Sequence, residues 1–142
     1  MYEVRDSAAI FLRHERTGDF LFHLRDDLDW IADPGMWSLI GGSIDPGESP
    51  EQAIKREVLE EIGLRIETPR YLDTIDAVDF VKGVRHPLRI ALFLAQIDGS
   101  VEDIELSEGQ EVRFVSLDAI FTYDLKPEFK RFIFMRREDL ER

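Results

Sequence analysis

The sequence contains no cysteine. Disulfides and thiolate metal sites are therefore excluded, and a reducing compartment is permitted. No apolar run approaches the roughly 18 residues that span a bilayer. The first residues, MYEVRDSAAIF, carry mixed charge and lack the hydrophobic region and small-residue cleavage site of a secretory signal, so the cytoplasm is the expected location. Positive charge is also scarce: 18 Lys and Arg stand against 30 Asp and Glu, a net charge of −12. Nucleic-acid backbones and anionic membranes both reward clusters of cations, so neither is an expected partner. A phosphorylated small molecule is compatible with this charge only if cations accompany it.

What is present describes an ordinary globular chain. Its 142 residues are 44% hydrophobic and 34% charged, enough apolar material for one α/β domain over residues 1–142 with a real core. Residues 2–13 and 19–25 have strand character, joined by a hairpin turn at His14–Gly18. Phe20, Phe22 and Leu24 alternate inward in the second strand. Residues 26–38 carry Asp, Pro and Gly without a period and are expected to form a loop. A short strand follows at 39–44, and its glycines, Gly41 and Gly42, suggest close approach of another group. Ser49-Pro50-Glu51-Gln52 has the N-cap, N1 proline and capping-box glutamine of a helix start, and Gly63 is the matching stop, giving a helix over 50–62. Further on come an extended segment at 65–79, a turn at Gly83, and a buried strand at 87–97. An acidic loop at 99–110 precedes a strand at 111–116. A helical turn at 117–120 and a C-terminal helix at 126–137 complete the chain. A mixed sheet with few helices is expected.

The chemistry gathers on the helix over 50–62. At 100° per residue, Glu57, Glu60 and Glu61 fall within an arc of about 100°, beside an apolar stripe of Ile54, Val58 and Ile62. Like charges at these spacings repel, and a divalent cation would relieve them. Oxygen-only donors favour Mg²⁺ or Mn²⁺ over zinc. Taken alone, the same glutamates also suit a solvated face in which Arg56 pairs with Glu60.

Their neighbours narrow the choice. Gly42, five residues, Glu48, seven residues, and then Arg56-Glu57-Val58-Leu59-Glu60-Glu61-Ile62-Gly63-Leu64 match every fixed position of the Nudix hydrolase signature. The chain thus resembles that family over this stretch, about a sixth of its length. The resemblance implies the Nudix fold, an α/β/α sandwich with a mixed β-sheet, and hydrolysis of a nucleoside diphosphate linked to another group. It implies Glu57 and Glu61 as leading metal ligands and Glu60 as a further ligand or helper. Glu48 is placed near the metal, with Arg56 orienting the carboxylates. Gly42 keeps the backbone open at the metal site, with Gly41 beside it, and Gly63 ends the helix. A metal-complexed substrate also reconciles a polyanionic ligand with a protein of net charge −12.

Ser107-Glu108-Gly109-Gln110, followed by Phe114-Val115-Ser116, is similar to the stretch before the last strand in the family's mutator-type triphosphatases. This makes Glu108 a candidate extra ligand or general base, with Glu111 as fallback; an exposed loop carboxylate is the plain alternative. For phosphate contacts Arg25 is expected first and Arg89 second, either of which also suits a surface charge. Trp37, Phe80 and Tyr123 are candidates to stack a base, or else core aromatics. His14, His23 and His86 show no ligand spacing. Two departures weigh against oxidised-guanine specificity: Ile40 stands where many mutator-type members have proline, and Asp124 where a base-reading asparagine is expected. The loop from Arg25 to Trp37 also resembles members acting on sugar nucleotides.

The expected function is a Mg²⁺-dependent (or Mn²⁺-dependent) pyrophosphohydrolase, most readily of a nucleoside triphosphate cut to monophosphate and pyrophosphate. A nucleoside diphosphate sugar or ADP-ribose is the alternative substrate, and a non-catalytic, nucleotide-sensing Nudix domain is the alternative of another class. Such domains usually lose the glutamates that this chain keeps. The expected partner is a small-molecule nucleotide, and a homodimer is the candidate assembly.

Overall fold

The computed structural model describes residues 3–107 and 109–142. Seven strands are present: β1 (Arg5–His14), β2 (Phe20–Leu24), β3 (Trp37–Ser38), β4 (Ile40–Ser43), β5 (Arg70–Val81), β6 (Val84–Ile97) and β7 (Glu111–Val115). The helices are α1 (Pro50–Ile62), α2 (Pro127–Met135) and α3 (Arg137–Glu141), with short 3₁₀ turns at Val101–Asp103 and Ala119–Thr122. Among the described residues no helix is long and apolar enough to cross a membrane.

The strands form one mixed sheet in which β3, β2, β1, β6 and β5 are successive neighbours. β1 runs parallel to β6 over its whole length, while the N-terminal half of its other edge pairs antiparallel with β4. β2 meets β1 only at Arg13↔Phe20 and then runs along β7. β1 and β2 therefore diverge, and β4 enters the gap between them. β5 and β6 form a hairpin whose Lys82-Gly83 turn has positive φ at both residues (51° and 74°), as a tight right-twisted hairpin requires.

Each face of the sheet is covered. Ile54, Val58 and Ile62 of α1 pack with Ala8, Ile10 and Leu21 on one side. Phe129, Phe132 and Ile133 of α2 pack with Phe11, Phe20 and Phe22 on the other. Fully burying each such side chain contributes about 1.5–3 kcal/mol, so the two layers hold the sheet between them. The result is the expected α/β/α sandwich.

The boundaries of α1 match the sequence expectation because its signals are local. Ser49 Oγ accepts from Gln52 N–H (3.1 Å), Gln52 Oε1 accepts from Ser49 N–H (2.8 Å), and Gly63 closes the helix at φ 71°. Two expectations are corrected. In β2 the neighbours of Phe20 and Phe22 do not face water: Leu21 and His23 are also buried, because both faces of the sheet are covered. The C-terminal helix does not run unbroken to 137. Arg136 leaves helical geometry (φ −120°, ψ 25°), pairing with Asp73 (2.8 Å) and Asp139 (2.6 Å), and α3 turns inward to bury Leu140.

Candidate active site

The loop that feeds α1 is held by Arg56. Its Nε and Nη2 donate to Glu48 at 2.7 and 3.0 Å, a two-point clasp. Nη1 donates to Glu57 at 2.9 Å and to Glu60 at 3.1 Å, and Nη2 also reaches the Ser43 carbonyl at 3.1 Å. A planar guanidinium serves several carboxylates at once where an ammonium would not. Hydrogen bonds from Arg56, and then from the Asp45 N–H, hold the Glu48 carboxyl below its usual range. The same clasp raises the pKa of Arg56.

The next turn of α1 faces β4. Gly41 N–H donates to Glu61 Oε2 at 3.2 Å, and Glu61 is buried. The Glu57 carboxylate lies against Gly42, so closely that a Cβ there would stand 2.6 Å from its carboxyl carbon. Gly41 is constrained differently: its Cβ would fall 2.2 Å from the Ala8 carbonyl oxygen, so this glycine permits the pairing of β4 with β1. Glu57 and Glu61 stand one turn apart on α1. Desolvation raises the Glu57 pKa above its usual value, and the Arg56 hydrogen bond only partly offsets this.

These carboxylates line a cleft of about 440 Å³, whose walls also include Arg5 and Arg25. Asp33, Leu88 and Lys126 line this cleft and also a second cavity of about 790 Å³. The second cavity is walled mainly by apolar groups, among them Met36, Val78, Phe80 and Pro87. Where the two meet, buried Lys126 Nζ pairs with Asp33 Oδ2 (2.7 Å) and Asp79 Oδ1 (3.1 Å) and donates to the Val78 carbonyl. Arg5 pairs with the other Asp79 oxygen at 2.7 Å. Asp33 sits at φ 44°, tied to β5 by Asp33 N–H to the Phe80 carbonyl (2.9 Å) and Phe80 N–H to Asp33 Oδ1 (3.0 Å).

The structure thus gathers Gly41, Gly42, Glu48, Arg56, Glu57, Glu60 and Glu61 around one loop and helix, with Arg25 on the cleft wall and Phe80 on the adjoining cavity. It does not bring the other candidates there. Arg89 is exposed and lines neither cavity. Trp37 and Tyr123 pack edge to face at 5.3 Å, with the Arg113 guanidinium 4.9 Å over the Trp37 ring, and both rest against the core. Asp124 is exposed, and its carbonyl accepts from Trp37 N–H at 2.8 Å. Glu111 pairs with Arg113 at 3.0 Å. Glu108 lies outside the described residues. Ser107 caps the end of α1, its N–H donating to the Glu61 carbonyl (3.0 Å) and its hydroxyl to that of Glu60 (2.7 Å). Gly109 N–H donates to Asp26 at 3.2 Å.

Sequence reasoning missed Arg5, Asp33, Asp79 and Lys126. The positive φ at Asp33 had one local signal, the Asp-Pro-Gly turn sequence. His14, which shows no ligand spacing in the sequence, is buried, and its Nδ1 accepts from Arg16 N–H at 3.1 Å.

The donor set suits a hard divalent cation. Two carboxylates meet over glycine backbone, one of them strained toward protonation, and a cation would relieve both the repulsion and the desolvation. Among the described residues no three acidic or histidine side chains already form a cage.

The comparisons agree with this geometry. The protein-family model described as NUDIX domain matches residues 3–135. A relative named nucleoside triphosphatase NudI, from Enterobacter sp. (strain 638), is 29% identical over 98 residues, covering 65% of this chain and 70% of the relative. The crystal structure of a MutT protein from Methanosarcina mazei Go1 is similar over 97% of this chain and 96% of its own, with TM-score 0.76 and 26% identity. A C. elegans Ap4A hydrolase gives TM-score 0.74 and 26% identity over 96% and 98% of the two chains. With the family model spanning nearly the whole chain and the signature helix folded against its glycine strand, this chain belongs to the Nudix family and is a Nudix hydrolase.

Proposed function

We propose that the chain acts as one hydrolase domain that cleaves a nucleoside triphosphate to the monophosphate and pyrophosphate, assisted by Mg²⁺ or Mn²⁺. The observation that carries this is the union of two unlike chambers. A polar cleft holds Glu57, Glu61 and Arg25, and it shares Asp33, Leu88 and Lys126 with a larger, mainly apolar cavity beside it. A ligand with a charged chain at one end and a flat apolar ring at the other fits that division, and the volumes lie within the usual range for small-molecule sites, about 300–1,000 Å³. The printed name of the NudI relative, a nucleoside triphosphatase, supports the same substrate class.

In this reading Glu57 and Glu61 hold the cation, with Glu60 as the further donor. When bound, the cation neutralises phosphate charge and lowers the pKa of the attacking water. Arg56 keeps Glu48, Glu57 and Glu60 oriented. Arg25 and Arg5 on the cleft wall meet phosphate oxygens. Glu108 takes the proton from the attacking water, the role that the likeness of Ser107-Glu108-Gly109-Gln110 to the mutator-type stretch implies.

The test is a panel of nucleoside triphosphates, nucleoside diphosphate sugars, ADP-ribose and dinucleotides with Mg²⁺, scored for the phosphate products. Pyrophosphate released from triphosphates is the expected result. Two monophosphates from a sugar nucleotide or ADP-ribose would move the assignment to that class. Tight nucleotide binding with no product from any compound would replace it with the sensing domain.

A further inference from the structure

The apolar cavity has a polar rim, and that rim is short of free donors. All three N–H bonds of Lys126 end on Asp33, Asp79 and the Val78 carbonyl. The Val78 N–H donates to Glu128 Oε2 at 2.7 Å, and the Phe80 N–H to Asp33 Oδ1 at 3.0 Å. The wall thus spends an ammonium and two peptide donors inside the protein. Its acceptors are not exhausted. Asp33, Asp76 and Glu128 all line the cavity, and a carboxylate offers about four lone-pair positions, of which these bonds use few. Arg85, exposed near the start of β6, is the one unspent cationic side chain in the lining among the described residues.

We infer that the cavity selects nucleobases bearing an exocyclic amino group, with Asp33, Asp76 and Glu128 as the specificity-determining acceptors. The inference rests on the proposed nucleotide hydrolysis and concerns the other end of the same substrate. A base entering the cavity loses water from its polar edge and must regain hydrogen bonds from the wall. Adenine, cytosine and guanine present N–H donors that such a wall accepts. Uracil and thymine offer one donor, the N3–H, between two carbonyl oxygens. Among the described residues Arg85 is the single free cation of the lining that could meet those oxygens, so these bases satisfy the acceptors less fully. The cost falls on the unpaired polar groups, so discrimination is steep where a buried site is built to hydrogen-bond one substrate.

The experiment compares triphosphates that differ at the amino group and share the same sugar and phosphate chain: CTP with UTP, and ATP with purine-riboside triphosphate. The expected result is a kcat/KM at least about tenfold higher for the amino-bearing member of each pair. The dissociation constants of CMP and UMP, read by calorimetry, should differ in the same direction, which reads binding without chemistry. Glu128→Gln retains an oxygen for the Val78 N–H and turns the remaining acceptor into a donor. It should bring the CTP/UTP ratio down toward one, while Asp76→Asn lowers it less. Equal rates within each pair, or a Glu128→Gln ratio unchanged from the parent, would overturn the inference and leave the hydrolase assignment standing. Failure of every triphosphate to turn over would instead overturn the assignment, and the CMP and UMP constants would still decide the selectivity.

Discussion

The Glu57 carboxylate fills the space that a Cβ on Gly42 would occupy, with its carboxyl carbon 2.6 Å from that position. Gly41, one residue earlier, would instead drive a Cβ to 2.2 Å from the Ala8 backbone oxygen. The two glycines therefore make opposite predictions. Gly42→Ala meets the end of a flexible side chain, so it should fold and melt within a few degrees of the parent. Its activity should fall about 100-fold or more, the scale of an ångström-sized displacement in a catalytic constellation. Gly41→Ala meets backbone in a paired strand and should lose stability by about 1–3 kcal/mol or more. Circular-dichroism melts beside initial rates check both. An active Gly42→Ala enzyme would remove Glu57 from the machinery.

Replacing Glu57 or Glu61 with Gln preserves shape and removes the charge that would hold a cation. Each variant should lose about 10²–10³-fold in kcat, the scale of removing one electrostatic group from an active site. Mn²⁺ binding by calorimetry should weaken in parallel. Glu60 is more exposed and shares Arg56, and Glu60→Gln should lose at least about tenfold. Chelation of the parent enzyme should abolish turnover, and Mg²⁺ or Mn²⁺ should restore it.

Arg56 reaches Glu48, Glu57, Glu60 and the Ser43 carbonyl with one planar group. Lysine keeps the charge but loses the fork. Arg56→Lys should therefore lower kcat about 10–100-fold, the range seen when a partner of metal ligands is removed, with little change in melting temperature. Parent-like kinetics would show that charge alone suffices.

His23 is buried, and its Nδ1 has no hydrogen-bond partner among the described residues. Burial, reinforced by the charge of Arg25, lowers its pKa to about 4, while a hydrogen bond to the Leu39 carbonyl opposes this. The unfolded chain binds this proton near the usual 6.5 and the native protein does not, so the native state loses stability as pH falls from about 6.5 to about 4. The contribution approaches about 3 kcal/mol at the lower end. His23→Gln should flatten that part of the pH dependence in urea unfolding. A parent and variant that lose stability in step would refute it.

Lys126 is the countercharge for two carboxylates, with 8% of its side chain exposed. Lys126→Met should cost about 3–5 kcal/mol, because it leaves Asp33 and Asp79 buried with less compensation. Adding Asp33→Asn should recover part of the loss, a coupling that urea unfolding of the single and double variants measures.

The stretch from Gly42 to Leu64 was legible in sequence because its determinants are local. A hydroxyl at the N-cap, a proline at N1, a glycine at C′ and an apolar stripe at helical spacing specify a helix wherever the rest of the chain goes. Since its glutamates and Arg56 stand on one such helix, their mutual neighbourhood followed from the turn angle alone. The longer strands were legible for the same reason, but β3 at Trp37–Ser38 falls in the stretch 26–38 expected to be a loop, and which strand faces would be covered was not legible.

The junction of Lys126 with Asp33 and Asp79 joins residues 93 and 47 positions apart. No local signal marks it, because a lysine or aspartate in isolation has the composition of a surface. Only the docking of α2 and the 26–38 loop against β5 turns those charges into a buried network. The placement of Trp37 and Tyr123 against each other, away from the cleft, is a matter of packing between distant segments too. The sequence by itself determined the family, the fold and the carboxylate helix. Tertiary structure alone decided which residues outside that helix line the cleft and the adjoining cavity, because that choice depends on long-range burial rather than on the conformational preferences of any one segment.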